Sequence, residues 1–373
     1  MSTALVPPSV PAAPPVGAVR AGQKVQRALQ RLVWRMGPPQ FSLLDIVAGR
    51  WRADALAALA RLGVAEAMAA GPRTAAELAA ELQLDPDALH RVLRALAREG
   101  LLDEDGARFA LNAYTRPLLR DHPNSLRNMV MEIAAPQNTA CWARLPDAIR
   151  TGEATWQAAH GGEHMWEWLE RHPEAHTVFH EAMRELTREG APSFARAYPF
   201  GDHDSVVDLG GGTGQLLATI LAVNPRLAGV LVDAPAVVAG AGPVLRAMGV
   251  EGRCEVIGGD ILADPVPAGK GVYLAKNITH GLSDAHLAAP LGRWRTAMRP
   301  DSRLVLVDVV VPEAPAPYFG FLDLQMLLVS FGGRERTERE FAALFAANGL
   351  TLERVIPTAS PMSLIVARRA APL

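Results

Sequence analysis

Asp208 is followed by a glycine-rich run, Leu-Gly-Gly-Gly-Thr-Gly, that ends a short apolar segment. A tight turn of this kind lets the backbone approach a ligand closely, which requires residues without side chains at Gly210, Gly212 and Gly214. A dinucleotide fingerprint that starts at Gly210 needs another glycine at position 215, and that position is Gln215. The spacing therefore predicts a nucleoside-containing cofactor other than NAD.

Two further acids follow the next two predicted strands. Asp233 ends the second strand, 25 positions beyond Asp208, where a carboxylate can accept both hydroxyls of a ribose. Asp260 stands in the run Gly-Gly-Asp-Ile after the third strand. Taken alone, a glycine-rich turn is often only a turn, and an Asp after a strand is often only a helix cap. Because the carboxyl ends of parallel strands meet at one edge of an open sheet, their shared order and placement predict a cofactor site at that edge.

The elements that position these groups alternate between β-rich and helical segments through the second half of the chain. This alternation predicts a doubly wound α/β sheet with helices on both faces. We expect strands at 205–209, 229–232, 254–257, 271–276 and 304–311, with final strands at 352–356 and 363–367. A capping box from Thr337 to Glu340 opens the helix that precedes the last two strands.

The first part of the chain has a helical pattern instead. A Thr-Ala-Ala-Glu capping box begins at Thr74, a second helix begins at Asp85 and ends before Gly100, and residues 101–111 predict a β-hairpin. Helix, turn, helix and hairpin together predict a winged helix. Such a module can bind DNA, but acidic residues offset the arginines of its second helix, and a solvated helix face is the alternative interpretation.

Length and composition bound the function of the whole chain. Its 373 residues predict two domains, and 37 Lys+Arg against 39 Asp+Glu give a net charge of −2, so nucleic acid is not an expected partner. The two cysteines, Cys141 and Cys254, are far apart, which predicts neither a disulfide framework nor a metal cluster and fits a cytoplasmic protein. No apolar run reaches the roughly 18 to 20 residues of a membrane-spanning helix.

The start of the chain is rich in proline and lacks the pattern of a secretory signal. It predicts a disordered tail of about twenty residues, and a short amphipathic helix follows from Gln23 to about Trp34. The predicted division is a tail and short helix at 1–40, a winged helix at 41–120, a helical linker at 121–200 and the cofactor-binding sheet at 201–373.

Together these features resemble the class I S-adenosylmethionine-dependent small-molecule O-methyltransferases, a family that includes the caffeic acid enzymes of plants and polyketide-tailoring enzymes of bacteria. The narrower resemblance lies in Tyr-Leu-Ala-Lys-Asn-Ile-Thr-His at 273–280, in residues 304–312, and in Gly-Gly-Arg-Glu-Arg-Thr at 332–337. It covers residues 41 to 368. The resemblance implies a Rossmann-like methyltransferase domain, a winged-helix domain used for dimerisation, an acceptor pocket in the linker, and methyl transfer from S-adenosylmethionine to a hydroxyl, usually a phenol.

The family's functional residues fall on identifiable positions of this chain. Those that contact the cofactor in the family match Asp208, Gly210, Gly212, Gly214, Asp233 at the ribose, Asp260 and Ile261 at the adenine, and Lys276. The catalytic base of the family falls on His280, and the two acids that bracket it fall on Asp308 and Glu335. Each acid has an alternative role as a structural cap or ion-pair partner, and His280 has one as a turn histidine.

The chain departs from the family pattern just after His280. The family usually continues with Asp or Asn and then Trp, whereas this chain has Gly281 and Leu282, and Asp308 is one methylene shorter than the Glu typical of plant members. One alternative is therefore a cofactor-binding enzyme with non-methylating chemistry, namely decarboxylation, hydroxylation or a pericyclic reaction. Another is a winged-helix DNA-binding regulator that senses a small ligand. The main hypothesis is a homodimeric O-methyltransferase of secondary metabolism with an aromatic or polyketide-like acceptor.

Overall fold

The structure is a computed structural model that describes residues 10–313 and 320–371. It forms two compact units. One comprises the described residues within 1–28, 144–165 and 187–373, and the other comprises 29–143 and 166–186. The predicted helical linker, 121–200, is thus shared between the units, and the four-part division of the chain stays a prediction. Within the described ranges, no helix combines the length and apolar character needed to cross a membrane.

The helices alternate with strands from the middle of the chain onward. The α-helices are α1 Val16–Met36, α2 Pro39–Arg61, α3 Val64–Ala67, α4 Ala75–Leu82, α5 Pro86–Arg98, α6 Arg127–Ile133, α7 Pro136–Ala143, α8 Leu145–Thr151, α9 Trp156–Ala159, α10 Met165–Arg171, α11 Pro173–Ala197, α12 Gln215–Val223, α13 Pro235–Val238, α14 Ala241–Ala247, α15 Asp284–Ala297, α16 Gly320–Val329 and α17 Glu338–Ala347. The strands are β1 Arg73–Thr74, β2 Leu102–Asp105, β3 Arg108–Leu111, β4 Ser205–Leu209, β5 Ala228–Asp233, β6 Cys254–Gly258, β7 Val272–Lys276, β8 Arg303–Val311, β9 Arg336–Thr337, β10 Leu350–Pro357 and β11 Met362–Arg369.

The first helix is longer than predicted. It begins at Val16, inside the predicted tail, and the carbonyl of Pro15 accepts from the N–H groups of Ala18 and Val19 at 3.0 and 3.1 Å. Proline has no N–H and a fixed φ. It is therefore well suited to the start of a helix, where a backbone N–H has no acceptor within the helix. The proline-rich sequence therefore starts this helix. Residues 1–9 of the predicted tail lie outside the described residues.

The predicted winged-helix elements are present in the unit that contains residues 29–143. Helices α4 and α5 lie between β1 and the β2–β3 hairpin in the chain, and the three strands form an antiparallel sheet in the order β1, β3, β2. The capping box is formed in both directions, because Glu77 N donates to Thr74 Oγ1 at 3.2 Å and Thr74 N donates to Glu77 Oε2 at 2.8 Å. Asp85 caps α5 by accepting from the N–H of Ala88 at 2.8 Å.

The second sheet confirms the predicted doubly wound α/β fold. Its strand order is β10, β11, β8, β7, β4, β5, β6, with the short β9 beside β8. Strands β4 to β8 pair in parallel, and β10 and β11 are antiparallel additions. The strand order reverses between β4 and β7, since β5 follows β4 on one side and β7 lies on the other. Ligands of open α/β sheets bind outside the carboxyl ends of the strands at such a point.

Both faces of the central strands β4, β7 and β8 are covered. Alternate residues of β4 and β7 point to opposite sides: Val206 and Leu274 belong to one buried cluster, and Val207 and Tyr273 belong to the other. A sheet buried on both faces is rigid, so side chains at its carboxyl edge have fixed positions. This edge positions the candidate site.

Candidate active site

The glycine loop joins the carboxyl end of β4 to the start of α12. Gly210, Gly212 and Gly214 have φ values of 73°, 62° and 83°, in the left-handed region that glycine adopts without strain. A Cβ at Gly210 would lie 2.6 Å from the side chain of Ile278, whereas a Cβ at Gly212 would meet no described heavy atom within 4 Å. Gly212 therefore borders open space, where a ligand can lie directly against the backbone.

Asp233, at the end of β5, holds this loop. Its Oδ2 accepts from Gly212 N and its Oδ1 accepts from Ala234 N, both at 2.7 Å. Burial raises the pKa of Asp233, although these two N–H donors act in the opposite direction. Each carboxylate oxygen has a second lone pair, so the side chain retains capacity for two further donors such as ribose hydroxyls.

Asp208 lies beneath the loop as a buried acid. It is 1 % exposed, and neither of its carboxylate oxygens has a hydrogen-bond partner among the described residues. Burial and the negative charge of Asp233 raise the pKa of Asp208 to about 7, while the positive charge of Lys276 lowers it. A buried carboxylate without donors is costly, so this position favours a cationic ligand.

Asp260 and Ile261 follow β6 at the same edge. Asp260 is exposed, its Oδ1 accepts from Leu262 N, and its own N–H donates to Asp264 Oδ2, both at 2.8 Å. These bonds fix the turn after β6. A Cβ at Gly210 would lie 3.0 Å from the Ile261 side chain, so this side chain is adjacent to the glycine loop. The predicted cofactor residues are thus close together in the fold.

Lys276 is the last residue of β7 and lies beside β8. Burial lowers the pKa of Lys276 to about 8, and the negative charges of Asp308 and Asp208 oppose this shift. The Lys276 ammonium is therefore an electrostatic link between the acid below the glycine loop and the acid in β8. Asn277, the next residue, has a positive φ of 55°, which turns the chain sharply toward His280.

His280 lies on a 3₁₀ turn, Thr279–Gly281, and is 8 % exposed. Its Nδ1 is 2.8 Å from Glu335 Oε1. Glu335 precedes β9, is 4 % exposed, and is held in place because its N–H donates to Asp323 Oδ1 at 2.8 Å. When His280 is neutral, a proton on Nδ1 that is donated to the carboxylate leaves the Nε2 lone pair free as a proton acceptor.

The charge around His280 favours its protonated form. Burial lowers the pKa of His280, but the hydrogen bond to Glu335 and the negative charges of Asp308 and Glu335 outweigh burial and the positive charge of Lys276. The net result is a pKa above the usual value of a histidine. A base of this strength is better matched to a weakly acidic proton than an unassisted imidazole.

The two acids that are predicted to bracket His280 have different hydrogen-bond partners. Asp308 is fully buried in β8, and its Oδ2 accepts a hydrogen bond from the Thr279 hydroxyl. Its hydrogen bond thus reaches the residue before His280 and not the imidazole ring. Its Oδ1 has no hydrogen-bond partner among the described residues, and its negative charge raises the pKa of His280.

The arginines on either side of Glu335 are not its ion-pair partners. Arg334 and Arg336 both bond to Asp284, at 3.1 and 2.7 Å, which leaves Glu335 to His280. Sequence reasoning did not identify Arg336, Thr279 or Asp323 as parts of the site. The sequence Arg-Glu-Arg usually indicates an exposed segment with alternating charges. This pattern does not reveal that one of these arginines, Arg336, is fully buried.

The residues after His280, which depart from the family pattern, contact the segment that follows α16. Leu282 is buried and pairs with Phe331 in an isolated parallel bridge. Phe331 N donates to Gly281 O at 3.3 Å, and Ser283 N donates to Phe331 O at 3.0 Å. An aromatic residue from the segment after α16 therefore lies beside the turn.

Two family models match the chain. An O-methyltransferase domain model matches residues 142–351, and an O-methyltransferase dimerisation domain model matches residues 44–121. The mitomycin biosynthesis 6-O-methyltransferase of Streptomyces lavendulae is 39 % identical over 329 residues, covering 87 % of this chain and 93 % of that protein. The phenazine O-methyltransferase PhzM of Lysobacter antibioticus is 37 % identical over 328 residues, covering 87 % and 95 %.

Solved structures show the same similarity. The crystal structure of CalO1, a methyltransferase in calicheamicin biosynthesis, in its SAH-bound form has a TM-score of 0.77 at 34 % identity, and the match covers 90 % of this chain and all of that chain. The matched regions cover both parts of this chain, and the matched proteins are named as methyltransferases. These matches disfavour a DNA-binding regulator.

The residues at the sheet edge fit S-adenosylmethionine. This cofactor carries positive charge on its sulfonium and ammonium groups, and Asp208 offers a buried carboxylate without donors. Its nucleoside needs close approach to backbone and an acceptor for hydroxyls, and Gly212 and Asp233 provide these. We therefore conclude that the chemistry of these residues suits the cofactor.

We predict that Gly212→Ala weakens binding of S-adenosylhomocysteine by roughly tenfold or more, because the new Cβ enters the space that the ligand needs. Gly269→Ala is the matched control, since Gly269 has a similar φ of 71° with no described atom near its Cβ position and lies away from the loop. Calorimetric titration measures the affinities, and thermal unfolding verifies that both variants have similar stability. Equal affinities in the two variants would contradict the assignment of the loop.

Proposed function

This chain belongs to the S-adenosylmethionine-dependent O-methyltransferase family, and on that premise we propose that it methylates a phenolic hydroxyl of an aromatic or polyketide-like metabolite with His280 as general base. The observation that carries the proposal is the hydrogen bond of 2.8 Å between His280 Nδ1 and Glu335 Oε1. The names of two relatives, which refer to mitomycin biosynthesis and phenazine, support an aromatic acceptor.

The cofactor is proposed to lie along the glycine loop, with Asp233 at its ribose, Asp260 and Ile261 at its adenine, and Asp208 and Lys276 beside its charged groups. When bound, S-adenosylmethionine supplies a methyl group that the positive charge on sulfur has already activated. The chain has only to align the acceptor and remove its proton.

Proton removal is assigned to His280. A phenol with a pKa near 10 is largely protonated at neutral pH and is then a poor nucleophile. His280 Nε2 accepts the proton of the acceptor hydroxyl. Bound S-adenosylmethionine would supply the methyl group to the acceptor oxygen as its methyl carbon–sulfur bond breaks and the electron pair stays on sulfur. The imidazolium that forms is stabilised by Glu335 at Nδ1 and by the nearby charge of Asp308. A hydroxyl needs this assistance, whereas a neutral amine is nucleophilic without it, so a buried base favours O-methylation.

Asp308 and Glu335 have different parts in this proposal. Glu335 fixes the ring orientation and the proton position of His280 through direct contact. Asp308 accepts from the Thr279 hydroxyl, and its negative charge raises the pKa of His280.

A second candidate function keeps the cofactor site and changes the chemistry. Gly281 and Leu282 motivate it, because they replace the polar residue and Trp of the family beside the base. Incubation with methyl-labelled S-adenosylmethionine and a panel of phenolic acceptors discriminates the two. Label in the product supports methyl transfer, whereas an altered, unlabelled product with intact cofactor supports the second candidate.

The homodimer is part of the proposal and is supported by one exposed apolar surface. Residues 29–51 of α1 and α2, which we call the apolar helix surface, expose large apolar side chains: Leu29, Leu32, Val33, Trp34, Met36, Phe41, Leu43, Leu44, Ile46, Val47 and Trp51. An apolar surface of this extent is typical of an interface. It overlaps the beginning of the matched dimerisation domain at residue 44, and a second copy of this chain is its proposed partner.

His280→Gln is predicted to lower the rate of methyl transfer by roughly 10² to 10⁴, because the proton acceptor is lost while the glycine loop is unchanged. Affinity for S-adenosylhomocysteine should stay within about twofold of wild type. His203→Gln, at the amino end of β4, is the control and should retain the rate. A full rate in His280→Gln would rule out this residue as the base.

The pH dependence of kcat/KM provides a further prediction. The base must be neutral, and the pKa of His280 is raised, so kcat/KM should rise with pH through a value above about 6.5. Glu335→Gln removes a raising charge while Asp308 and Lys276 remain, so the rising limb should move about one unit to lower pH with a lower maximal rate. Glu338→Gln, an exposed acid on α17, is the control. An unmoved limb in Glu335→Gln would contradict the coupling of Glu335 to His280.

Trp51→Glu is predicted to shift the chain from dimer toward monomer by placing a charge in the apolar helix surface. Ile149→Glu is the matched control, since Ile149 is 73 % exposed and Trp51 is 74 % exposed, but Ile149 lies outside the dimerisation domain. Light scattering after size-exclusion chromatography across a dilution series gives the mass. If Trp51→Glu remains as dimeric as wild type at every dilution, this surface is not the interface.

A further inference from the structure

Arg336 is a fully buried arginine that directly follows Glu335 in the chain. Its relative exposure is 0 %. Nη1 donates to Thr279 O at 2.8 Å and to Arg334 O at 3.4 Å, and Nη2 donates to Leu282 O at 2.8 Å. Nη2 and Nε also donate to Asp284 Oδ1 at 2.7 and 3.0 Å. All five N–H donors of the guanidinium therefore have acceptors.

Two of these acceptors lie on either side of the proposed base. Thr279 O and Leu282 O are the carbonyls just before and just after the pair His280 and Gly281, so one guanidinium holds both ends of this turn. These contacts fix the backbone from which the imidazole extends, whereas Glu335 fixes the ring. A segment of two consecutive residues thus determines both the location and the orientation of His280.

The charge of Arg336 is balanced outside the turn. Asp284 is the first residue of α15 and accepts from Arg336 through Oδ1 and from Arg334 through Oδ2. The pKa of Asp284 is lowered because these arginine contacts outweigh its burial. Asp284 therefore anchors the guanidinium without contacting His280, and Arg334, which is 47 % exposed at its side chain, shares the anchor but not the turn.

The segment before Glu335 also lies tightly against the turn. A Cβ at Gly333 would be 2.2 Å from His280 O and 2.4 Å from Ser330 Oγ, distances that no side chain tolerates. Gly333 N donates to Ser330 Oγ at 3.0 Å. Close approach of this backbone is what allows the Arg336 guanidinium to reach both carbonyls of the turn.

We propose that Arg336 is a positioning residue for methyl transfer, which sets the place of His280 at the acceptor by clamping the backbone of the turn at Thr279 and Leu282. This inference rests on the proposed function, because it acts through His280 as the base. A lysine cannot reproduce the clamp, since one ammonium lacks the fork that reaches two carbonyls and a carboxylate together. Misplacement of a reacting group by about 1 Å can cost on the order of 10²-fold in rate.

The test is a double-mutant cycle in the full chain, with a phenol that wild type methylates as the probe. The variants are Arg336→Lys, His280→Gln and their combination, and Arg334→Lys is the matched control. Arg336→Lys should lower kcat by about 10²-fold, leave KM within threefold and leave the affinity for S-adenosylhomocysteine within twofold of wild type. Arg334→Lys should change none of these by more than twofold. In the double variant, Arg336→Lys should cost nothing beyond His280→Gln, because the group that it positions is already absent.

Three outcomes would overturn the proposal. One is a wild-type kcat in folded Arg336→Lys. Another is a full additional loss of rate when Arg336→Lys is added to His280→Gln, since the residue would then act elsewhere. The third is loss of folding in both Arg336→Lys and Arg336→Met, which would make the residue a stability element. A full rate in His280→Gln is a different result, because it contradicts the proposed function itself and removes the basis of the inference.

Discussion

The hydrogen bond between His280 and Glu335 is the interaction on which the site depends. Both groups are almost completely buried, and a buried charge is tolerated only when it is paired and hydrogen-bonded. The pair joins segments that are 55 residues apart in the chain. Such a contact needs the turn after β7 and the start of β9 to be adjacent, and the parallel pairing of β8 with both β7 and β9 provides this. The fold of the sheet and the state of the imidazole are therefore linked.

The same sheet edge concentrates opposing charges that burial makes significant. Burial raises the pKa of Asp208 to about 7 and lowers that of Lys276 to about 8. Both pKa values are therefore close to neutral pH. A cation bound above Asp208 would lower the cost of its ionisation. The glycine loop above this acid borders open space at Gly212, and His280, the proposed base, follows the neighbouring strand β7. The charges of Asp208, Lys276 and Asp308 thus connect the proposed cofactor site with the proposed base.

Much of this architecture follows from local sequence. The predicted strands agree with the observed ones within about two residues, because each is a short run of β-branched and aliphatic residues bounded by turns. The start of α1 at Val16 differs from the prediction, because a proline-rich sequence is typical of disorder but Pro15 here accepts the first hydrogen bonds of the helix. The glycine loop, Asp233, His280 and Glu335 were identified from order and resemblance, and the contact between the last two agrees with that expectation.

The sequence does not reveal which side chains and carbonyls tertiary packing brings together as hydrogen-bond partners. Asp308 is predicted to bracket His280, and the structure shows a hydrogen bond from the Thr279 hydroxyl and a charge effect on the imidazole, neither of which a sequence pattern specifies. Arg334 and Arg336 flank Glu335 and both bond to Asp284, yet only Arg336 is buried, because it also donates to Thr279 O and Leu282 O, 57 and 54 residues earlier in the chain. Periodicity and propensity carry no information on contacts over such separations.

The central claim is that His280 Nε2 receives the proton of the acceptor hydroxyl. A crystal structure of the full chain with S-adenosylhomocysteine and a phenol that it methylates tests this claim most directly. The account predicts that the phenolic oxygen lies within about 2.6 to 3.2 Å of His280 Nε2, with Nδ1 still bonded to Glu335. A reactive hydroxyl bound beyond that distance, with another group in contact with its proton, would contradict it.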